Sequence, residues 1–407
     1  MRIFHLKLLF LGIIFYVSFR NIFLKKTPNI RKRRLEYSSS LCIPAKGDAG
    51  MHCVFENLCI NKKGLFEMFL KNPNKNVLNI LIDTVPYALL DPVSIAIHNG
   101  TVPSNFSHVL EKPVIIFQQH YPINFCHAIF DDMFGLFVIV NEVNLLPETA
   151  RILLLPGATG QEKFFSVLKR FFPLISVVSK DNYNTRFMKA YTGSTNFRSC
   201  HYSECKYGKN DASLIVDRYD LVRFAYFVSE KKTDLKQSSI YLMGRKKSRL
   251  ILNMNELELS LHTKARYPSR LTFKEQVELA QNASVIIGMH GAGLINIMFS
   301  PTTTALLEIF PYKCRRSRPV YRDICREKGM LYSSYENDNI SNAVFHEKYL
   351  NTLPLSMKTK VIDHTYTGDV FCGVDRYKNY CSQTELYYLQ QDTIINVSTV
   401  LQKLKEL

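Results

Sequence analysis

Short apolar runs recur along this chain, separated by longer stretches whose apolar positions return every three or four residues. LNILID (78–83), PVIIFQ (113–118), RILLLP (151–156) and LISVVS (174–179) predict strands. Between them, 124–143 and 161–172 predict helices, and 212–231 reads as a longer amphipathic helix that bridges to a second set. That set opens with SIYLMG (239–244), a helix from Asn255 and a strand near 267–271. Thr272-x-x-Glu275 is a capping box opening a helix over 273–282. Two apolar runs, 285–287 and 305–310, flank a Gly-rich turn and a helix-like segment, 294–299, and a last helix is predicted within 385–404. Strand and helix alternating in two sets predict an α/β chain of two Rossmann-like domains facing a cleft; in folds of that architecture the C-terminal helix often returns to the first domain.

The turn is the most telling stretch. The run to Gly288 gives way to His290-Gly291-Ala292-Gly293, and the next strand carries Glu308. Glycines let a backbone approach a diphosphate, and the N–H groups at a helix start favour anions. His290 offers a side-chain donor to the same oxygens, and Glu308 stands where an acid holds ribose hydroxyls in such folds. The spacing is not GxGxxG, so this is not the dinucleotide fingerprint. The competing reading is a tight turn in which His290 only bonds locally.

Two other clusters carry chemistry. Arg245-Lys-Lys-Ser-Arg249 follows a predicted strand: either a basic surface turn, or two guanidinium forks aimed at phosphate oxygens. Asn124, His127 and Asp131 fall on one face of a predicted helix, where a carboxylate one turn from an imidazole orients it and raises its basicity. This pair is either a general base or a hydrogen bond that fixes the helix. Asp131-Asp132 is not a DxD, and adjacent helical carboxylates are poorly arranged to share one metal.

Composition narrows the class. A 407-residue chain that is 46% hydrophobic is a globular protein of about two domains. Of its formal charge of +17, nine units come from residues 1–34, which hold no acid, leaving +8 for the rest. With the excess concentrated in a tail and no RNA or DNA motif, nucleic acid is not the expected partner. The run 8–19, extended past Arg20 to Leu24, predicts an uncleaved signal anchor over 1–24, followed by a basic stem over 25–50. The positive flank after the span opposes a cytoplasmic N-terminus. Five N-x-S/T triplets, at Asn99, Asn105, Asn282, Asn339 and Asn396, and ten cysteines favour a luminal body. Asn99 and Asn282 are the favoured acceptors. Cys200/Cys205, Cys314/Cys325 and Cys372/Cys381 read as local disulfides, Cys200 and Cys205 with His201 also as a faint metal constellation.

The three motifs together resemble glycosyltransferase family 61. NFCHAIFDD (124–132) is similar to its N-x-x-H-x-x-x-D motif, YLMGRKKSRLILNMNE (241–256) to its paired-arginine motif, and 270–311 to its HGAG-type half. Further similarity runs through 282–284, 308–312 and 391–393, and the whole spans 80–405. The resemblance implies a GT-B-like fold: an acceptor-side domain over 51–231, a nucleotide-sugar domain over 232–350 and an extension over 351–407, with no fibronectin-like domain following. It implies an inverting transferase that moves N-acetylglucosamine from UDP-GlcNAc to O-linked mannose on a glycoprotein. His127 and Asp131 would be catalytic. Arg245, Arg249, His290, Gly291, Ala292, Gly293 and Glu308 would hold the donor, with no cofactor and no metal. The expected setting is the ER membrane, single-pass type II, with the Golgi second; homodimerisation stays open. The alternatives are another acceptor (EGF-domain O-GlcNAc or xylosyl transfer) and an inactive lectin-like luminal protein.

Overall fold

A computed structural model describes residues 38–44, 51–71, 81–82, 93–117, 119, 124–155, 162–192, 218–228, 239–314, 320–351, 353, 355–362 and 387–407. The predicted anchor, Cys200/Cys205 and Cys372/Cys381 lie outside these residues. Among the described residues no helix is long and apolar enough to cross a membrane.

The chain is mixed α/β, built on two main sheets. Ten strands form the first: β1 (Ser39–Pro44), β2 (Met51–Ile60), β3 (Phe66–Leu70), β4 (Leu81–Ile82), β5 (Val93–Asn99), β6 (His108–Leu110), β7 (Val114–Phe117), β8 (Arg151–Leu154), β9 (Ile175–Val177) and β10 (Thr185–Thr192). Their order is β4-β5-β3-β2-β10-β7-β8-β9, with β1 on β2 and β6 on β10. The block β10-β7-β8-β9 is parallel, as the alternation predicts. Beside it, β2 runs antiparallel to β1, β3 and β10. That antiparallel part corrects the expectation of a purely doubly wound domain, and β1 lies inside the stretch read as stem. The reason is local: MHCVFENLCI mixes polar and apolar residues without a clean run, and its strand character emerges only once it pairs.

The second sheet is parallel throughout, in the order β11 (Ser239–Met243), β12 (Ala283–Met289), β13 (Ala305–Phe310), β14 (Tyr332–Glu336). Its central strand β13 is buried at every position, as a strand covered on both faces must be. The capping box forms as predicted: Thr272 Oγ1 accepts the Glu275 N–H and the Glu275 carboxylate accepts the Thr272 N–H. The helix it opens, Phe273–Asn282, runs into β12 with no loop, so Asn282 is half-buried at a tight junction rather than in the accessible loop expected of it. Beyond Gly291, residues 292–299 wind as a 3₁₀ helix. The C-terminal helix Val397–Lys405 does not return to the first sheet. It packs on the outer face of the second, where Val397 and Val400 join Leu242, Ile287 and Leu307.

One core fills the space between the sheets. It joins Ile115 and Ile152 of the first, with Phe172 beside them, to Tyr241, Ile286 and Leu306 of the second. Phenylalanines line its middle: Phe224 packs on Phe134, Phe137 and Phe299, and Phe273 on Phe125, Phe171 and Phe299. Cys314 and Cys325, read as a disulfide, are both buried thiols. Cys314 Sγ donates to the Tyr388 carbonyl (3.4 Å), whereas Cys325 faces the main core.

Candidate active site

The site gathers at the carboxyl ends of β11, β12 and β13, the end where parallel α/β sheets bind ligands. β12 ends at Met289, and the His290 N–H still donates to the Ile309 carbonyl (2.7 Å). The chain then turns at Gly291, whose φ of 156° disfavours any side chain. A Cβ there would lie 2.4 Å from Arg245 Nη1 and 3.0 Å from Arg249 Nη1. Two guanidinium groups therefore converge on this one glycine. Gly293 is less constrained: a Cβ would meet Met243 Cε at 3.3 Å and Pro268 Cγ at 3.6 Å.

Arg245 stands just past β11, its Nε donating to the Ser248 carbonyl (2.9 Å). Burial pushes its pKa down, opposed by Tyr321 and Asp392, and among the described residues no carboxylate forms an ion pair with it. Arg249 adopts φ 57° and donates from Nη1 to the His290 carbonyl (2.9 Å). The lysines between them, Lys246 and Lys247, are exposed, and Lys246 lies over the Tyr267 ring.

His290 is 4% exposed. Its ring stacks on Phe310, meets Tyr321 edge-on, and sets Nδ1 2.5 Å from Glu308 Oε1. Glu308 is fully buried, and its Oε2 accepts the Tyr332 hydroxyl (2.9 Å). Burial pushes its carboxyl up to about 8, against the Tyr332 hydrogen bond and Arg322. The Nδ1–Oε1 bond holds the imidazole ring in one orientation. Both Glu308 oxygens are thus engaged inside the protein. The residue expected to hold ribose is bonded to His290 and Tyr332, and through the first of these it orients the His290 ring.

Asn124 caps the helix Phe125–His127, its Oδ1 accepting the Cys126 N–H (3.0 Å). The predicted regular helix is interrupted at once by a π-helical turn over Ala128–Met133, which contains Asp131 and Asp132. Such turns collect at functional sites. Asp132 is buried and accepts from Gln119 Nε2 (3.2 Å); His127 is half-buried. Tyr321 is one contact between this motif and the HGAG loop. Its hydroxyl donates to the Gly291 carbonyl (2.8 Å) and lies 3.7 Å from Cys126 Sγ, next to His127 in sequence.

Sequence reasoning missed Tyr321, Tyr332 and Lys328. Lys328 is fully buried, its Nζ donating to the carbonyls of Ile297 (2.9 Å), Met298 (3.1 Å) and Ser300 (2.6 Å). It satisfies the last carbonyls of the 3₁₀ helix that begins at the HGAG loop. Nothing in the local pattern of VYRDICREK marks which of its residues turn inward to do this.

Comparison with known proteins places the chain among glycosyltransferases. Residues 108–307 match the Glycosyltransferase 61 family model. Over 422 aligned residues the chain is 24% identical to the human protein O-linked-mannose beta-1,4-N-acetylglucosaminyltransferase 2, covering 91% of this chain and 71% of that one. The Mus musculus protein of the same name is 23% identical over the same shares. The matched region runs from β6 to the middle of β13, one residue short of Glu308, and so takes in His127, both arginines and the HGAG loop. The chain is a glycosyltransferase that carries a Glycosyltransferase 61 domain over residues 108–307.

Proposed function

We propose that the chain transfers N-acetylglucosamine, with inversion, from UDP-GlcNAc to mannose O-linked to Ser or Thr of a glycoprotein. The observation that carries this reading is the convergence of Arg245 and Arg249 on Gly291 at the strand ends. Two fixed positive charges at a glycine, with no carboxylate among the described residues ion-paired to Arg245, suit a diphosphate. Charge grows on that group as the glycosidic bond breaks, so the guanidinium groups act most strongly in the transition state. They supply the compensation that a divalent cation gives elsewhere, and no metal is required. His290, with Nδ1 tied to Glu308, offers Nε2 as a further contact.

The acceptor hydroxyl needs a base, and His127 takes that role, with Asp131 as its partner one turn on. The Cys126–Tyr321–Gly291 contact keeps the base and the diphosphate grip in register. The choice of N-acetylglucosamine and O-linked mannose rests on the names of the relatives. It goes with a luminal body held at the ER membrane by residues 1–24. An oxidising setting is supported by Cys53, which is disulfide-bonded and has Cys42 across the β1–β2 ladder.

The test is a donor screen followed by transfer. UDP-GlcNAc should raise Tm more than other sugar nucleotides. Mass spectrometry should then find one N-acetylhexosamine added to an O-mannosyl peptide and none on unmannosylated or EGF-domain acceptors. Protection by a different donor, or addition to the bare peptide, would refute the reading.

A further inference from the structure

We infer that Asp392, on the C-terminal segment, is a positioning residue for the anion grip, an inference that rests on the reading that Arg245 and Arg249 hold the donor diphosphate. The loop that carries both arginines is irregular, and Arg249 sits in the left-handed region at φ 57°. For a residue with a long side chain that conformation is disfavoured and persists only where its surroundings enforce it.

The enforcement comes from far along the chain. The N–H that follows Arg249, that of Leu250, donates to Asp392 Oδ1 (2.7 Å). The Leu250 carbonyl accepts the Thr393 N–H (2.9 Å), and the Leu252 N–H donates to the Thr393 carbonyl (2.8 Å). Asn253 closes the row, its Nδ2 donating to the Ile395 carbonyl (2.9 Å) and its Oδ1 accepting the Ile395 N–H (3.0 Å). Residues 392–395 therefore form a strap across the arginine loop. Asp392 is the strap's side chain that bonds next to Arg249, and it is 5% exposed.

The other edge of the strap is fastened elsewhere. β16 (Asp392–Thr393) pairs with β15 (Ala343–Val344), Thr393 Oγ1 accepts from Asn337 Nδ2 (2.8 Å), and Asn396 N–H donates to the Tyr335 hydroxyl (3.0 Å). Asp392 Oδ2 lies 3.2 Å from His346 Nε2. The Asp392 charge also acts on Arg245 without pairing with it, opposing the fall in pKa that burial causes. One carboxylate thus fixes the backbone of one arginine and supports the charge of the other, while the forks remain directed at Gly291. Preorganising such forks is what lets them orient a diphosphate without an ordering cost at binding.

The experiment is calorimetric titration with UDP, alongside Tm. Wild-type protein should bind UDP; no binding would overturn the diphosphate grip itself and this inference with it. Asp392→Ala should weaken UDP binding about tenfold, the scale of one charge-assisted hydrogen bond. Asp392→Asn, which still offers Oδ1 to the Leu250 N–H, should bind within about threefold of wild type. Asn337→Ala loosens the strap from its far side and should lower Tm while leaving UDP binding unchanged. If Asp392→Ala does not fold, Asp392→Glu, which keeps the charge but displaces the acceptor, takes its place with the same expected loss. The inference is overturned if wild type binds UDP and the Ala or Glu variant binds it equally well. It is also overturned if Asn337→Ala weakens UDP binding as much as they do, since the strap would then be merely structural.

Discussion

Tyr321 donates its hydroxyl proton to the carbonyl of Gly291 at 2.8 Å, and that bond ties the helix Val320–Lys328 to the turn on which two guanidinium groups converge. The hydroxyl is buried and has Cys126 as its other neighbour, so the first motif is held against the third. Tyr321→Phe keeps the ring and removes the bond. Stability should fall by about 1 kcal/mol, the usual net worth of a buried hydrogen bond. The KM for the sugar nucleotide should rise as the turn loosens. A phenylalanine variant with wild-type Tm and KM would show that Gly291 needs no such anchor.

Gly291→Ala is the sharper probe of the turn. Its Cβ would enter the space of Arg245 Nη1, and φ 156° strains the backbone as well. We expect loss of UDP binding with a folded circular-dichroism spectrum. Gly293→Ala, with contacts no closer than 3.3 Å, should retain binding.

For the arginines, Arg245→Ala and Arg249→Ala should each lower turnover by roughly 10²–10³-fold, the scale of one lost donor facing developing charge. Lysine at either position should restore little of it, because a point charge does not reproduce the fork. EDTA should leave wild-type turnover unchanged. Full EDTA inactivation, or an alanine variant of normal activity, would refute the assignment.

Glu308 gives a pH signature. Its carboxyl is pushed up to about 8 in the fold, chiefly by burial, from an ordinary value of 4.5. Between those values the unfolded chain has released a proton that the folded chain keeps. The stability contribution is therefore intact below about 4.5 and is lost as pH rises towards about 8. Glu308→Gln mimics the protonated carboxyl and should flatten the fall of Tm between about pH 5 and about pH 8. Parallel curves for the two proteins would mean that the carboxyl is ionised throughout.

Compartment is tested by endoglycosidase H. Asn99 is exposed at the end of β5, and Asn99→Gln should remove part of the mass lost on digestion. Asn282→Gln should change little, since Asn282 ends a helix directly against β12 and Ser284 Oγ already donates to the Ser239 carbonyl. A chain with no digestible mass and only reduced cysteines would argue against a luminal body.

Periodicity reached the second sheet well because its strands are short, apolar and fully covered. Ala283–Met289 and Ala305–Phe310 announce themselves, and so does the Thr272 capping box. β14 did not: YSSYE is a polar edge strand whose pairing with β13 decides its conformation. The arginines, His290 and its glycines were legible from spacing and similarity. The role of Glu308 was not, because a sequence gives its place in a strand and not the Tyr332 hydroxyl that engages its second oxygen. Tyr321 and Lys328 were illegible for the same reason. Each acts through a contact about 30 residues away in the chain, beyond any local pattern.

The phenylalanine-lined core between the two sheets has a consequence for how the molecule comes apart. Phe224 leans on Phe134 and Phe137 from one half and on Phe299 from the other. Severing the chain between 228 and 239 would leave each piece with a wet aromatic face and no partner for it. Neither piece should be obtainable as a soluble fragment. Heating should give a single melting transition, with damage to either half lowering the same midpoint.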